Sequence, residues 1–391
     1  MLDRRQAAIA LAGCITFINL YSPQALLPLL SQQLGAGASA VSLLVSATTL
    51  AIALIAPFTG TVADVVGRKR VIVSAMFALV LPTALLGLAG GLDAMVLWRF
   101  VQGLLLPPIF AVTIAYIGDE LPAAEATSAT GIYLSASSFG GFLGRFLPGL
   151  LAGPIGWRGA FLSLAVITLA AALGVLWLLP RERRFVRSPG LAASARQMLR
   201  HLADPRLVAT YAVGFGVLFT FIASFTYVNF HLAAAPFNLS PAALGGIFVV
   251  YLVGVGTTLL TGRGVARFGR RKLVIGLVAL WAAGMLLTLL PSLAAILVGL
   301  AMSAGCGFVC QAVATGFVAV TAREGRSSAV GLYVTCYYIG GSVGGVLPGF
   351  AFERFGWPGA VATVLSMLAL VAGFVAAFWR DGAAISAASA R

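Results

Sequence analysis

The sequence has little charge, almost no histidine and few cysteines. Charged residues make up only 9% of the 391 residues, whereas a soluble domain carries about 25%. The two histidines and four cysteines show neither metal-ligand spacing nor a secreted disulfide pattern. Hydrophobic residues instead reach 60%. These proportions exclude an ordinary soluble protein, a disordered chain and a disulfide-stabilised secreted domain.

Long, continuous apolar runs are the main feature of the chain. A helix that crosses a bilayer needs about 20 apolar residues, whereas barrel strands show weak alternation over about ten. The long runs, each bounded by charge, glycine or proline, therefore predict helices and not barrel strands. We number the twelve predicted spans in chain order as residues 7–30, 40–62, 71–91, 94–117, 128–152, 159–180, 207–230, 241–262, 273–291, 294–318, 328–352 and 359–379. The predicted fold class is an all-α membrane protein with twelve transmembrane helices.

Lysine and arginine are distributed unequally between the two ends of these spans. Of the 25, 21 fall on the side that carries both termini, and only Arg158 and Arg354 fall on the other side. Arg99 and Arg145 lie within spans 4 and 5. Because cytoplasmic loops are enriched in basic residues, we predict a multi-pass protein of the bacterial inner (plasma) membrane with both termini cytoplasmic. The net charge of +14 then reflects contact with the lipid bilayer and does not indicate a nucleic-acid partner.

The two halves of the chain repeat each other. Residues 131–161 align without a gap with residues 331–361, with twelve identical positions, and residues 60–70 align with 262–272. This duplication predicts two pseudo-symmetric six-helix bundles, an arrangement typical of transporters that expose a central site to each side in turn. The predicted divisions are a bundle at 1–180, a basic cytoplasmic linker at 181–206, a second bundle at 207–380 and a tail at 381–391.

Three motifs resemble those of a known family. Their residues are Gly60, Asp64 and Gly67 to Arg70 after span 2, Arg99, Gln102 and Gly103 in span 4, and Gly131, Gly140 and Gly144 in span 5. With these motifs the whole chain resembles the major facilitator superfamily, in particular its bacterial efflux permeases of the drug–proton antiporter and arabinose-efflux type. The resemblance implies alternating access, proton-coupled export of a small organic molecule and no cofactor, and we expect a monomer.

Five side chains are candidates for coupling or gating. The resemblance implies that Asp64 caps the N-terminus of span 11 and pairs with Arg68 when the protein is open outward; the alternative is a solvated charge. Arg145 stands where the antiporter branch has a proline, and one hypothesis is that its side chain bonds across the interface between the two halves. Because a charge within a span is costly, Arg99 is either a coupling or anion-binding group or a donor to backbone carbonyls. His231, near the outer end of span 7, either carries protons or is an interfacial histidine bonded to water.

The predicted substrate contacts are polar side chains within spans. No acidic residue lies near the middle of a span, although many proton-driven cation exporters of the family use a carboxylate in span 1. This difference argues against a cationic drug and favours a neutral or anionic solute. For the tyrosines, simple packing is the alternative interpretation. The candidates are Asn19, Tyr21, Gln24, Arg99, Gln102, Tyr133, Tyr227, Tyr251, Gln311, Tyr333 and Tyr337.

Proton-coupled efflux is the leading hypothesis, and an importer or facilitator of a small organic anion is the alternative, favoured by the arginines within spans. A third hypothesis is transport of a soft metal ion by span cysteines, although no histidine or methionine ligand set accompanies them. An enzyme is not predicted, because the sequence shows no nucleotide-binding loop, no metal-binding histidine cluster and no acid–base pair. A channel is not predicted either, because Leu, Ala, Val and Gly dominate the span interiors.

Overall fold

The computed structural model of the chain describes residues 3–182, 198, 200–322 and 326–379, with the side chains of all of these except residues 60, 61, 64, 123, 124, 326 and 327. Within these ranges the secondary structure is almost entirely helical, and none of it is β-strand. A helix satisfies its own backbone N–H and C=O groups, as the interior of a bilayer requires. The prediction of an all-α fold is therefore confirmed.

The helices follow the predicted spans in order. Their bounds are Arg4–Tyr21 and Leu27–Leu34 (span 1), Ala38–Val66 (span 2), Arg68–Leu88 (span 3), Leu92–Glu120 (span 4), Ala123–Leu178 (spans 5 and 6), Pro205–Ala233 (span 7), Pro241–Gly246 and Tyr251–Thr258 (span 8), Thr261–Phe268 (a short helix after span 8), Arg270–Leu287 (span 9), Leu293–Thr321 (span 10) and Arg326–Phe378 (spans 11 and 12). Most observed helices extend a few residues beyond the predicted apolar windows, because polar residues continue the helices at their ends.

Two of these helices are long enough for two spans each. One is interrupted at Gly156 (φ 70°) and the other at Gly356 (φ 65°), and such positive φ values favour glycine. Nine stretches of the described chain have the length and hydropathy of a membrane span, so these two breaks raise the number of spans to eleven. The twelfth span is the helix Arg270–Leu287. It is 18 residues long, and its first three residues are basic. The prediction of twelve spans is confirmed.

Two spans are broken where the sequence predicts continuous helices. The first helix of span 1 ends at Tyr21, and Pro23 lies in the turn that leads to its second helix. Proline has no N–H group and so cannot donate a helical hydrogen bond. Span 8 contains a 3₁₀ turn at Ile247–Val250. The break in span 1 leaves backbone carbonyls that need donors from elsewhere.

The chain divides into two compact units. The first holds Met1–Leu191 with Thr226–Val249, and the second holds Ala192–Phe225 with Val250–Arg391. We call Thr226–Val249 the crossing segment, because it contains the end of span 7 and the start of span 8 yet packs with the first six spans. Most of the predicted linker and the whole predicted tail lie outside the described residues, and the predicted domain boundaries stay a prediction.

In each unit, glycines let two spans pack backbone to backbone. The contacts pair Gly140 with Cys14 and Gly144 with Ile18 in the first unit, and Gly340 with Phe215 and Gly344 with Phe219 in the second. A Cβ atom at any of these glycines would collide with the facing backbone, so small residues are needed for this approach. The matching pairs show that span 7 corresponds to span 1 with an offset of 201 residues.

Candidate functional site

The side chain of Arg99 in span 4 is completely buried and bonded on every nitrogen. Its Nε donates to the Leu44 carbonyl oxygen at 2.8 Å. Its Nη1 donates to the Asn19 carbonyl at 2.7 Å and to Gln102 Oε1 at 2.6 Å, and its Nη2 donates to the Leu20 carbonyl at 2.6 Å. These four acceptors are neutral, and three of them are backbone carbonyls. The geometry favours the structural interpretation of Arg99 over direct substrate binding.

The break in span 1 explains why a buried arginine is needed. In a continuous helix the Asn19 carbonyl would accept from the N–H of residue 23, but Pro23 has none. Arg99 supplies a donor in its place, and the Ser22 hydroxyl donates to the same carbonyl at 3.1 Å. Charged donors form stronger hydrogen bonds than neutral ones. Arg99 therefore holds the end of the first helix of span 1 against spans 2 and 4.

A series of neutral side chains continues from Arg99. Gln102 Nε2 donates to Thr83 Oγ1 at 2.8 Å, and Thr83 Oγ1 lies within hydrogen-bond distance of Asn19 Oδ1, at 2.9 Å. Asn19 Nδ2 donates to Thr168 Oγ1 at 3.0 Å. All of these side chains are buried. We call these five residues the Arg99 network; it joins spans 1, 3, 4 and 6 and engages the polar atoms of Asn19 and Gln102 within the protein.

Arg145 in span 5 is the second buried arginine, with 1% of its surface exposed. Its guanidinium carbon lies 3.7 Å from the centre of the Tyr21 ring and 4.5 Å from that of Phe248. Its Nε donates to Gln24 Oε1 at 2.7 Å, and its Nη1 donates to the Gly141 carbonyl at 2.6 Å. An aromatic face attracts a cation, more strongly where water is excluded. Arg145 is thus enclosed between rings from span 1 and from the crossing segment.

Two further hydrogen bonds attach the crossing segment to the first six spans. Gln24 Nε2 donates to Thr226 Oγ1 at 3.1 Å, and Tyr227 OH donates to Ser42 Oγ at 3.0 Å. The contact of Phe248 with Arg145 attaches the other end of the segment. We name the Arg145 cluster by its members, Tyr21, Gln24, Arg145, Thr226 and Phe248. This cluster joins spans 1 and 5 to the parts of spans 7 and 8 that belong to the first unit.

Charged residues meet at the predicted cytoplasmic end of the first unit. Arg68, at the start of span 3, forms an ion pair with Asp119, near the end of span 4. The backbone N–H of Lys69 donates to Glu182 Oε2 at 3.3 Å, which places a carboxylate at the N-terminus of span 3, where negative charge is favourable. The side chain of Asp64 lies outside the described part of the chain, so its pairing with Arg68 stays a prediction.

Two other predicted residues of the first unit have different surroundings. Tyr133 is 2% exposed and packs in an apolar cluster that includes Ile9 and Ile117. This environment favours the packing interpretation for that tyrosine. His231 is partly buried, and its ring meets the Phe237 ring edge to face with centres 5.5 Å apart. Neither residue belongs to the Arg99 network or to the Arg145 cluster.

Four predicted residues belong to the second unit. Tyr333 and Tyr337 in span 11 stack with ring centres 6.0 Å apart. Tyr251 in span 8 meets Phe225 edge to face at 4.7 Å, and Gln311 is partly buried in span 10. The predicted substrate contacts are therefore divided among the Arg99 network, the Arg145 cluster and the second unit, with Tyr133 and Tyr227 of the first unit in none of these groups.

The four cysteines, on which the soft-metal hypothesis rests, are free thiols. Cys306 and Cys310 lie one turn apart in span 10 and are buried, whereas Cys14 and Cys336 are partly buried. In the described ranges, no three side chains of His, Cys, Asp or Glu come together as a metal site. The geometry of these residues therefore lends the soft-metal hypothesis no support.

Several residues that complete these clusters were not recognised as candidates from the sequence. Thr83, Thr168, Thr226 and Phe248 give no signal of their own, because threonine and phenylalanine are common in apolar spans. Asp119 was recognisable in principle, since it is one of only eleven acidic residues and follows a span.

Twelve helical spans, a duplicated set of glycine contacts and arginines buried within the spans define the architecture of a secondary transporter. The family model described as Major Facilitator Superfamily matches residues 9–267 and, in a second match, residues 215–390. The chain belongs to the major facilitator superfamily. It is a membrane transporter of small molecules and not an enzyme.

Individual relatives agree with this assignment. The uncharacterised MFS-type transporter YybF of Bacillus subtilis (strain 168) is 30% identical over 372 residues, which cover 95% of this chain and 91% of that protein. The inner membrane transport protein YnfM of Escherichia coli (strain K12) is 31% identical over 369 residues, 93% of this chain and 87% of that one. A crystal structure of the nucleoside transporter NupG matches with a TM-score of 0.78 at 14% identity, covering 96% of this chain and 100% of that one. This likeness confirms the predicted fold.

Proposed function

We propose that this transporter exports a small neutral organic molecule from the cytoplasm in exchange for protons. The observation that carries the proposal is the Arg145 cluster, which attaches the crossing segment to spans 1 and 5. In alternating access, the outer ends of the two repeats separate and rejoin in each cycle. The Arg145 cluster is the attachment that breaks and re-forms, and Arg145 is its gating residue.

The strength of these attachments suits repeated opening. Three side-chain contacts hold the crossing segment, made by Arg145 to Phe248, by Gln24 to Thr226 and by Ser42 to Tyr227. The backbones of spans 5 and 8 also approach closely where Gly149 faces Pro241 and Gly245 faces Arg145. A cation–π contact contributes about 0.5–2 kcal/mol and a neutral hydrogen bond about 0.5–1.5 kcal/mol. The three side-chain contacts together contribute roughly 1.5–5 kcal/mol, a free-energy difference of the size that ligand binding can shift.

The state of the two buried arginines supports a neutral substrate. Arg99 donates to four oxygens within the protein, so four of the five N–H groups of its guanidinium are already used. Arg145 is enclosed by Tyr21 and Phe248. Span 1 carries amides in place of the carboxylate that would attract a cation.

The direction, the coupling ion and the orientation are supported by the sequence. The motifs resemble those of the antiporter branch, and the basic residues favour cytoplasmic termini. Similarity to YnfM, an inner membrane transport protein, supports the bacterial inner membrane. We assign coupling or gating to Asp64, Arg68, Arg145 and His231, we assign a positioning role to Arg99, and we propose that a monomer is the working form.

Substrate contacts are assigned to the second unit. Tyr251, Gln311 and Tyr337 are partly buried there and carry polar atoms on apolar spans, and Tyr333 stacks on Tyr337. The predicted contacts of the first unit have other roles in this proposal. Asn19 and Gln102 serve the Arg99 network, Tyr21 and Gln24 serve the Arg145 cluster, Tyr133 packs and Tyr227 attaches the crossing segment.

The second candidate function is import or facilitated passage of a small organic anion. One observation favours it: the charged groups within the interior of the spans, Arg99 and Arg145, are cationic. A site that bound an anion would need one of these guanidinium groups to exchange its present partners for the substrate.

Everted membrane vesicles distinguish the two candidates. Proton pumping acidifies the vesicle lumen, so a proton-coupled exporter accumulates its substrate inside. We expect the neutral probe 2-naphthamide to accumulate and to leak out when an ionophore removes the pH gradient. Uptake of the anion 2-naphthoate that does not depend on the gradient would instead establish the second candidate.

Substitution of Arg145 tests the gate in the same vesicles. Arg145→Met removes the charge and the hydrogen bonds of the guanidinium, and we expect at least about a tenfold lower initial rate, which corresponds to about 1.4 kcal/mol. Arg158→Met is the matched control, because that guanidinium donates to the Ala89 carbonyl at 2.8 Å and makes no described contact with the crossing segment. Equal rates in the two variants would contradict the gate.

A further inference from the structure

Five aromatic side chains form a cluster in the second unit. The Phe221 ring centre lies 5.3 Å from those of Trp281 and Phe308. The Tyr251 ring centre lies 4.7 Å from that of Phe225 and 5.6 Å from that of Phe308, edge to face in both cases. Phe221, Phe225 and Trp281 are buried, whereas Tyr251 and Phe308 are partly exposed. The cluster thus reaches the surface of the unit at these two rings.

Two buried polar groups beside this cluster have no hydrogen-bond partner among the described residues: the Thr220 hydroxyl and the Trp281 indole N–H. Thr220 is completely buried, and Trp281 is 1% exposed. One turn further along each helix, Ser224 Oγ donates to Met285 Sδ at 3.4 Å. Thr220 precedes Ser224 by four positions in span 7, and Trp281 precedes Met285 by four positions in span 9. Because both steps are about one helical turn, Thr220 and Trp281 lie at one level of the two spans.

The corresponding place in the first unit is fully bonded. The offset of 201 residues between spans 1 and 7 makes Asn19 the counterpart of Thr220. Asn19 Nδ2 donates to Ile15 and Thr168, each at 3.0 Å, and Asn19 Oδ1 lies 2.9 Å from Thr83 Oγ1. A buried polar group without a partner is unfavourable, and a ligand that supplies the partner removes that cost. The same position is fully hydrogen-bonded in one repeat and carries unpartnered polar groups in the other.

We propose that Thr220, Trp281 and the aromatic cluster recognise the substrate, and that the substrate is a neutral, planar aromatic molecule with a carbonyl or similar acceptor. This inference rests on the proposed function, because it names the class of molecule that is carried. The Trp281 N–H can only donate, so it requires an acceptor, and the Thr220 hydroxyl can donate to or accept from the same group. The rings offer faces and edges to a flat ligand. Because every member is uncharged, the cluster supplies no counter-charge to an ionic ligand.

Binding to the purified full-length protein in detergent tests the substrate class. Thermal shift and quenching of tryptophan fluorescence both report affinity for 2-naphthamide. Cyclohexanecarboxamide lacks the flat ring, naphthalene lacks the acceptor, and 2-naphthoate carries a charge. We expect 2-naphthamide to bind at least about tenfold more tightly than each of the three. Equal affinity for cyclohexanecarboxamide, or tighter binding of 2-naphthoate, would overturn the proposal.

Two threonines of span 7 provide a matched pair of variants. Thr220→Val removes an unpartnered hydroxyl, so we expect a higher melting temperature without ligand and about tenfold weaker 2-naphthamide binding. Thr210 Oγ1 accepts from Trp379 Nε1 at 3.1 Å and donates to the Arg206 carbonyl at 2.7 Å. Thr210→Val should therefore lower the melting temperature and leave binding unchanged. If Thr220→Val behaves like Thr210→Val in both measurements, the hydroxyl is structural and the proposal is wrong.

A second binding variant and a transport measurement separate this inference from the proposed function. Trp281→Phe keeps a ring and removes the donor, and we expect it to weaken 2-naphthamide binding as Thr220→Val does. If vesicles export 2-naphthamide equally well with and without these substitutions, the recognition site is wrong while export stands. If the substitutions weaken binding but the unmodified protein does not accumulate the probe in vesicles, the site stands and export is wrong.

Discussion

The two repeats place very different side chains at matching positions. Offsets of 201 or 202 residues pair Asn19 with Thr220, Thr83 with Met285, Arg99 with Leu300 and Gln102 with Ser303. In the first unit these side chains bond to one another around a charge. In the second, the contact between Gln102 and Thr83 has its counterpart in a bond from Ser303 Oγ to Met285 Sδ at 3.4 Å. A thioether sulfur is only a weak acceptor.

The difference shows how a duplicated architecture can hold two kinds of interior. Around Arg99 every bond is directional, so spans 1, 3, 4 and 6 have one arrangement that satisfies all of them. Around Met285 the acceptor is a flexible thioether and aromatic rings lie nearby, so the contacts are less strictly directional. This contrast fits a first unit that serves as a scaffold and a second unit that adapts to substrate.

The substitution Arg99→Leu copies Leu300 into the first repeat and should have the largest effect. Three backbone carbonyls and the Gln102 amide would lose a buried charged donor, and we expect a loss of about 3–5 kcal/mol in the free energy of unfolding. Unfolding in mixed detergent micelles measures it, with the exposed Arg354→Leu as a control expected within about 0.5 kcal/mol of the parent. If the free energy of unfolding falls by less than about 1 kcal/mol and only 2-naphthoate binding is lost, Arg99 recognises an anionic substrate instead.

The pair Thr83→Val and Met285→Leu tests matching positions with substitutions of similar size. Thr83→Val leaves Gln102 and Asn19 with unmet hydrogen bonds, and we expect it to lower the free energy of unfolding by about 2–3 kcal/mol. Met285→Leu conserves volume and loses a weak sulfur acceptor, and we expect a change below about 1.5 kcal/mol. The same unfolding measurement applies to both. Equal losses would show that the second repeat depends on its polar contacts as much as the first does.

The smallest expected effect concerns the ion pair of Arg68 with Asp119. The matching residue in the second repeat is Val320, so Asp119→Val removes the pair and copies that position. A partly exposed pair contributes about 0.5–1 kcal/mol and is weakened by salt. Melting temperatures should therefore differ at low salt and converge at high salt. The double variant Arg68→Met/Asp119→Val should be more stable than the sum of the two single effects predicts, whereas strict additivity would show that the pair does not couple.

Hydropathy was sufficient to find the spans, because each must bury about 20 residues in an apolar medium. The break in span 1 was not predictable from its proline alone. Pro57, Pro82 and Pro107 lie inside helices that continue past them, whereas Pro23 lies in a break. Which proline ends a helix depends on whether donors such as Arg99 can serve the carbonyls that it releases.

The candidate site was predictable only in part, for a related reason. Arg99 and Arg145 stand out, because a charge within a span requires an explanation. Most of their partners do not, since Gln24 is 121 positions from Arg145 in sequence and Asn19 is 80 positions from Arg99. Neutral partners such as Thr83 and Phe248 resemble ordinary span residues until the helices are packed together.

The breaks at Gly156 and Gly356 also bear on how the chain is made. A single residue outside helical geometry separates span 5 from span 6, and another separates span 11 from span 12. Because so few residues connect them, with only Arg158 and the Glu353–Arg354 pair as charged residues beside the two breaks, the two members of each pair have little chain that would let one enter the bilayer before the other. We therefore expect spans 5 and 6 to enter the membrane as a pair during synthesis, and spans 11 and 12 to do the same.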